Sequence, residues 1–356
     1  MKKIGILSLL LLLLTCGCGK TDVMKVKNDF ESKVTKAKSY LLTGTMEIMN
    51  NEDTFVYSVE ASFLKDDFYK VRLINQTNNH EQVILKNTDG VYVVTPSLNK
   101  SFKFQSEWPN NSSQSYLLAS LLSDVKNDTE GTFEETDNNY ILKASVNYPN
   151  NTELVYEKIY FDKDMNLERV EVFNNDDAVK IKVNIKSLDL KAGLEKDDFL
   201  LEDLIDQDCC NTNTCTESDN KTCENDNKTT ETDKKTGAIE DIIYPLYIPS
   251  ETYLTSKEVV DTDAGNRVIL TYSGNKNFVL VEEKASSSND FEIIPVYGDP
   301  HLMNDSVAAL QANSIYWTSN NMEYYLTGND LSNEELLSIA TSLTNVDLVT
   351  SSQIEK

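Results

Sequence analysis

Phe55-Val56-Tyr57-Ser58-Val59-Glu60-Ala61-Ser62-Phe63 decides the fold. Phe55, Tyr57, Val59, Ala61 and Phe63 alternate with Val56, Ser58, Glu60 and Ser62, a period of two that a helix cannot use and a strand with one buried face can. The same period returns at Val179, Ile181, Val183 and Ile185, set against Lys180, Lys182, Asn184 and Lys186. Weaker strand patterns lie at 40–49, 67–74, 81–87, 90–95, 100–104, 139–147, 153–161 and 166–173. Their connectors carry turn residues, among them Asn50-Asn51-Glu52-Asp53, Asp89-Gly90 and Asn174-Asn175-Asp176-Asp177. Together these segments predict a long antiparallel meander with one apolar face.

Two helices accompany it. Val23, Val26, Phe30, Val34 and Ala37 recur at three- and four-residue steps, with Thr21 or Asp22 as the cap. A second stripe of Tyr116, Leu117, Leu121, Leu122 and Val125 predicts a helix over 112–125, capped by Ser112 or Ser113. A sheet of about ten strands curls rather than staying flat. The expected fold is therefore α+β: an N-terminal curled antiparallel sheet, an incomplete barrel, covered by helices. Such a sheet encloses a packed core or an apolar cavity, and periodicity does not distinguish them. Phe55, Tyr57, Val59 and Phe63 are the candidates for a cavity lining.

Between Asp206 and Gly237 no side chain is apolar except those of four cysteines. Such a segment cannot bury enough surface to offset its ordering entropy, and it reads as a linker. Beyond it, strand patterns at 252–260, 266–273, 277–284, 291–297, 314–318 and 322–328 precede a well-signalled helix. Ser332 and Glu335 form a capping box, and Leu336, Leu337, Ile339, Ala340 and Leu343 make its apolar stripe. This predicts a small α+β C-terminal domain. The chain divides into a signal segment (1–17), a short N-terminus (18–22), a first domain (23–204), a linker (205–238), a second domain (239–350) and a tail (351–356).

The first residues carry a basic Lys2-Lys3 followed by an apolar run ending at Leu14. That run is too short to span a bilayer, which takes about 20 apolar residues, and it fits a secretory signal. Leu14-Thr15-Cys16-Gly17-Cys18-Gly19 resembles a bacterial lipobox. The resemblance implies cleavage and lipidation at Cys18, with Cys16 as the alternative, and palmitate-type acyl chains in the membrane. Two chains hold far better than the marginal grip of one. The expected location is the extracytoplasmic face of the cell membrane, lipid-anchored.

Composition excludes whole classes of function. The chain of 356 residues has 33 Lys plus Arg and 58 Asp plus Glu, a net charge of -25. No basic surface is available to neutralise phosphates, so nucleic acid is not expected as a partner. Two histidines, His80 and His301, cannot build a histidine-rich metal site, and neither stands at the spacing of a zinc protease. Neither a GxGxxG nor a phosphate-binding loop occurs. Asp162-Lys163-Asp164-Met165-Asn166 starts like a calcium loop, but Leu167 stands where that loop takes Gly and Phe173 where it takes Glu, so a hairpin turn is expected. Cys209, Cys210, Cys215 and Cys223 lack the paired spacing of a zinc site. In an exported chain they are disulfide candidates, with three pairings open and free thiols as the alternative. The expectation is no enzyme, no cofactor and no metal.

The opening helix followed by Tyr40-Leu41-Leu42-Thr43-Gly44-Thr45-Met46, Phe68-Tyr69-Lys70-Val71-Arg72, Asp89-Gly90-Val91-Tyr92-Val93-Val94 and Phe161-Asp162-Lys163-Asp164-Met165-Asn166-Leu167 resembles the LolA-like superfamily. That superfamily includes lipoprotein carriers, envelope-stress sensors of the RseB kind, and Gram-positive sporulation and germination lipoproteins. The second half resembles the domain that follows a LolA-like domain in YdcC-type sporulation lipoproteins. The matching pieces are Ile248-Pro249, Ile315-Tyr316-Trp317, Tyr324-Tyr325-Leu326-Thr327-Gly328 and Glu334-Glu335-Leu336-Leu337-Ser338-Ile339-Ala340. The cysteine-bearing linker departs from that layout. The resemblance implies a membrane-anchored, non-enzymatic lipoprotein that binds an apolar ligand, an acyl chain or a lipoprotein, in a hydrophobic cavity. The alternative is a scaffold or regulator that binds a protein partner in sporulation, germination or envelope sensing.

Overall fold

The structure, a computed structural model, describes residues 22–50, 53–129, 131–204, 239, 242–262, 265–287 and 291–344. The signal segment, Cys16, Cys18, the linker 205–238 with Cys209, Cys210, Cys215 and Cys223, and the tail 351–356 lie outside the described residues.

The chain opens with helix α1 (Val23–Lys36). Asp22 caps it, its Oδ1 accepting from the Met24 N–H at 3.2 Å, and Val26 and Phe30 are buried. Strands β1 (Ser39–Asn50), β2 (Asp53–Leu64), β3 (Phe68–Asn75), β4 (Glu81–Asn87), β5 (Gly90–Thr95) and β6 (Lys100–Phe104) then pair in sequence as an antiparallel meander. After helix α2 (Leu118–Asn127), strands β7 (Phe133–Glu135), β8 (Asn139–Ser145), β9 (Leu154–Asp162), β10 (Leu167–Asn174) and β11 (Val179–Asp189) continue it on the other side of β1. At the seam, a Cβ on Gly44 would lie 2.3 Å from the Asn184 carbonyl, where the β1–β11 register shifts, so this position has no room for a side chain.

The second half contributes β12 (Thr252–Thr262), β13 (Gly265–Gly274), β14 (Phe278–Lys284), β15 (Glu292–Val296), β16 (Gly298–Leu302), β17 (Val307–Gln311), β18 (Ser314–Ser319), β19 (Met322–Thr327) and helix α3 (Asn333–Thr344). Among the described residues one sheet has twelve strands, in the order β15-β6-β5-β4-β3-β2-β1-β11-β10-β9-β8-β7. The other has seven, in the order β12-β13-β14-β19-β18-β17-β16. Neither sheet closes on itself.

The molecule is thus mostly sheet, with three α-helices among the described residues, and the expected helix-covered α+β layout holds in part. α1 and α2 lie on the inner face of the large sheet, where Phe30 meets Phe161 at 5.1 Å and Leu118, Leu121 and Val125 are buried. The rest of that face is covered by strands of the second half: Val296, Val307 and Ala309 belong to the same apolar cluster. On the outer face a smaller cluster of Phe68, Val83, Leu85, Tyr92 and Val94 is closed by Phe199 and Leu204, from two 3₁₀ turns, and by Leu201 between them. In the second half α3 packs Leu336, Ile339, Ala340 and Leu343 onto Val268, Leu270, Trp317 and Leu326.

Three local expectations shifted. The second helix starts at Leu118 rather than near Ser112, because Ser113 is held elsewhere: its N–H donates to the Asn147 carbonyl at 2.7 Å and its Oγ accepts from the Asn147 N–H at 2.8 Å. The strand expected over 291–297 forms as β15 over 292–296, and two strands that the sequence did not offer, β16 and β17, follow it. β15 leaves its own half and pairs in parallel with β6.

Candidate functional site

β15 passes through Tyr297 directly into β16 of the other sheet, and residues 303–306, the tip of the β16–β17 hairpin, lie against the inner face of the large sheet. The Tyr57 hydroxyl donates to the Asn304 carbonyl at 2.9 Å. One step along, Gln82 on β4 grips the hairpin: the Val307 N–H donates to Gln82 Oε1 at 2.6 Å and Gln82 Nε2 donates to the Val307 carbonyl at 3.1 Å. Lys100 on β6 pairs with Glu323 on β19 at 2.6 Å, with both side chains largely buried. The Tyr316 hydroxyl donates to the same carboxylate, while its ring packs 4.7 Å from that of Phe102. His80 Nε2 lies 3.3 Å from Thr318 Oγ1. Burial pushes the His80 imidazole below its usual range, which keeps it neutral in this seam.

Beside the hairpin an open cleft of about 510 Å³ runs between the halves. One wall is the 108–116 loop and the 148–154 connection, the other is the start of the β16–β17 hairpin and the outer turns of α3. Its surface mixes amides and hydroxyls (Asn111, Gln114, Asn151, Thr152) with the rings of Tyr116 and Tyr148. Asp299, Glu153 and Glu334 line it against one cation, Lys180, so the cleft is acidic. Asp299 is held in place by Ser106 Oγ at 2.5 Å and Asn111 Nδ2 at 2.7 Å. His301, on the same wall, is pushed down to about 4 by burial, against the upward pull of Asp299, and is neutral at physiological pH.

Two carboxyls are buried next to the cleft. Glu157 on β9 is fully enclosed, and neither of its oxygens has a hydrogen-bond partner. Asp124 on α2 adds its repulsion. Burial pushes Glu157 well above the usual carboxylate range and Asp124 up to about 6. Two carboxyls buried between a helix and a sheet, one of them without a hydrogen-bond partner, cost stability.

Of the four residues that the sequence offered as a cavity lining, none lines the cleft. Tyr57 and Val59 are buried in the packed cluster, and Phe55 and Phe63 are half-buried against it. Phe63 stacks between Tyr40 and Tyr69, with centroids 5.1 Å from each. Sequence reasoning missed Gln82, Lys100, Asn304 and Glu323, which join the halves. The available signal was Gln82 itself, a polar residue directly before the apolar run Val83-Ile84-Leu85. Among the described residues no three of His, Cys, Asp and Glu gather as metal ligands, and no helix is long and apolar enough to cross a membrane.

The fold and the filled inner face define a two-sheet, mostly-β class of protein. A LolA superfamily protein, NE2245 from Nitrosomonas europaea, is 8% identical, covers 51% of this chain and 99% of that chain, and has a TM-score of 0.31. A chain of the Pseudomonas aeruginosa MucA/MucB complex is 10% identical, with the match covering 89% of this chain and 97% of that chain, and has a TM-score of 0.30. Both likenesses are distant. No known family profile matches the chain. Among curated proteins the chain is 33% identical over 336 residues to the sporulation protein YdcC of Bacillus subtilis (strain 168), covering 94% of each. The chain belongs to the family of that sporulation protein.

Proposed function

We propose that this chain is a non-enzymatic lipoprotein of sporulation, anchored through Cys18 on the extracytoplasmic face of the cell membrane, that holds a protein partner as a scaffold or regulator. One observation carries the partner-holding reading. The inner face of the large sheet, where an acyl chain would sit, is filled by the chain's own hairpin at Asn304–Val307, and the cleft beside that hairpin is acidic, with polar and apolar groups in its lining. An open, acidic cleft of mixed lining suits a protein surface better than a lipid tail. Family membership supports the sporulation setting.

A second reading keeps the apolar ligand, an acyl chain or a lipoprotein. The hairpin tip is polar, and Asn304 Nδ2, Asp305 Oδ1 and Ser306 Oγ are buried without partners. A plug with unsatisfied groups is less costly to displace than a fully paired one. In this reading a ligand takes the hairpin's place against Tyr57.

A photo-activated amino acid at Ser338, exposed on the cleft wall, separates the two readings in sporulating cells. The scaffold reading expects one discrete protein adduct on the full chain. Absence of any protein adduct, together with saturable fatty-acid binding by the purified chain, selects the carrier reading.

A further inference from the structure

The two sheets have four edges, and three of them are blunted. β7 is three residues long, while β15 and β16 are five residues each and carry Pro295 and Pro300. Short edges and edge prolines are the usual defences against pairing with another chain. The fourth edge, β12, has neither. It runs for eleven residues without proline, and after Thr252 every residue is exposed except the half-buried Ser256. Val259 is 53% exposed and Val260 41% exposed, on opposite faces of the strand. Its inner side pairs with β13 along its length, and its outer side has no strand beside it among the described residues.

We propose that β12 is a self-pairing edge: two copies of this chain join antiparallel along it into one continuous sheet. The charges on the strand single out a second copy and a register. A two-fold axis perpendicular to a sheet keeps each side chain on its own face, so the residue on the axis meets itself and its neighbours meet in reverse order. An axis through Lys257 sets Lys opposite Lys, and an axis through Glu258 sets Glu opposite Glu, both unfavourable. An axis through Val259 sets valine against valine and places Lys257 opposite the partner's Asp261, twice by symmetry. On the other face Val260 meets the aliphatic part of the partner's Glu258. The strand is self-complementary in that register. The net charge of -25 opposes association at long range. Physiological salt screens this beyond about 8 Å and leaves the contacting pairs in place.

The test is a charge swap read by sedimentation equilibrium of the purified full chain in density-matched detergent. Lys257→Glu and Asp261→Lys each turn two attractive pairs into two repulsive ones, and each is expected to weaken dimerisation about tenfold. The double variant K257E/D261K restores the pairs and is expected to restore the dimer. Both positions are exposed, and far-UV circular dichroism verifies that the variants remain folded. A monomeric wild type across the concentration series overturns the proposal. So does a dimer that neither single variant weakens, or a double variant that stays monomeric. A complex that forms only with a different chain, with the wild type alone remaining monomeric, likewise overturns it and assigns the edge to that partner.

Discussion

Gln82 and Val307 exchange two hydrogen bonds across 225 positions of sequence, at 2.6 Å and 3.1 Å, so that one glutamine side chain takes the place of a neighbouring strand for the hairpin that fills the large sheet. Gln82→Leu leaves the buried Val307 N–H and carbonyl without partners. Each unpaired group costs about 1–3 kcal/mol, and a destabilisation of about 2–4 kcal/mol is expected. Urea unfolding of the variant measures it. Gln82→Glu keeps the acceptor but buries a carboxylate against the Val307 carbonyl, and it is expected to cost at least as much as Gln82→Leu.

Lys100 and Glu323 give a second handle on the same seam. With the Glu323 side chain 5% exposed, Lys100→Met strands a carboxylate in a place water barely reaches. A loss of about 3–5 kcal/mol is expected. Replacing both residues by Met removes the stranded charge, and most of that loss is recovered. A double-mutant cycle in urea checks the non-additivity.

The outline of the fold was legible in the sequence because a period of two is a local signal. Phe55 to Phe63 and Val179 to Ile185 read directly as β2 and β11, and Ser332 with Glu335 read as the cap of α3, where the Glu335 N–H does donate to Ser332 Oγ at 3.2 Å. The seam between the halves was not legible. β15 joins β6 in parallel across nearly two hundred residues, and parallel pairing at such distance leaves no mark on neighbouring residues. The same limit hid the hairpin: Val307-Ala308-Ala309-Leu310 is too short to announce its period, and nothing local says that Asn304 meets Tyr57. Alternation placed Val59 on the inner face, but what covers that face is a tertiary fact.

Glu282 makes a pH prediction. It lies buried on β14, with Oε2 accepting from the Ile243 N–H at 3.1 Å and Oε1 unpaired. Burial pushes its carboxyl up from 4.5 to about 7. The folded chain therefore favours the protonated form. That contribution is full below the unfolded value and is lost as the pH rises through about 7, a change of about 3 kcal/mol. Glu282→Gln stays neutral throughout. It is expected to melt with the wild type near pH 4 and clearly above it near pH 8. His301, depressed to about 4, acts in the opposite sense but equally in both proteins, so it cancels in the comparison.

Anchoring is tested at the N-terminus. Cys18→Ala is expected to abolish incorporation of a clickable fatty acid and retention in the membrane fraction, and Cys16→Ala to leave both intact. Label persisting in the Cys18 variant places the acceptor elsewhere.

The central claim is that the chain fills its own inner face and serves by holding a protein. Native mass spectrometry of the full chain, released gently from membranes of sporulating cells, tests it most directly. The account predicts a stoichiometric protein partner and no acyl ligand beyond the covalent anchor. A saturating lipid adduct on a chain that carries no protein partner would contradict it.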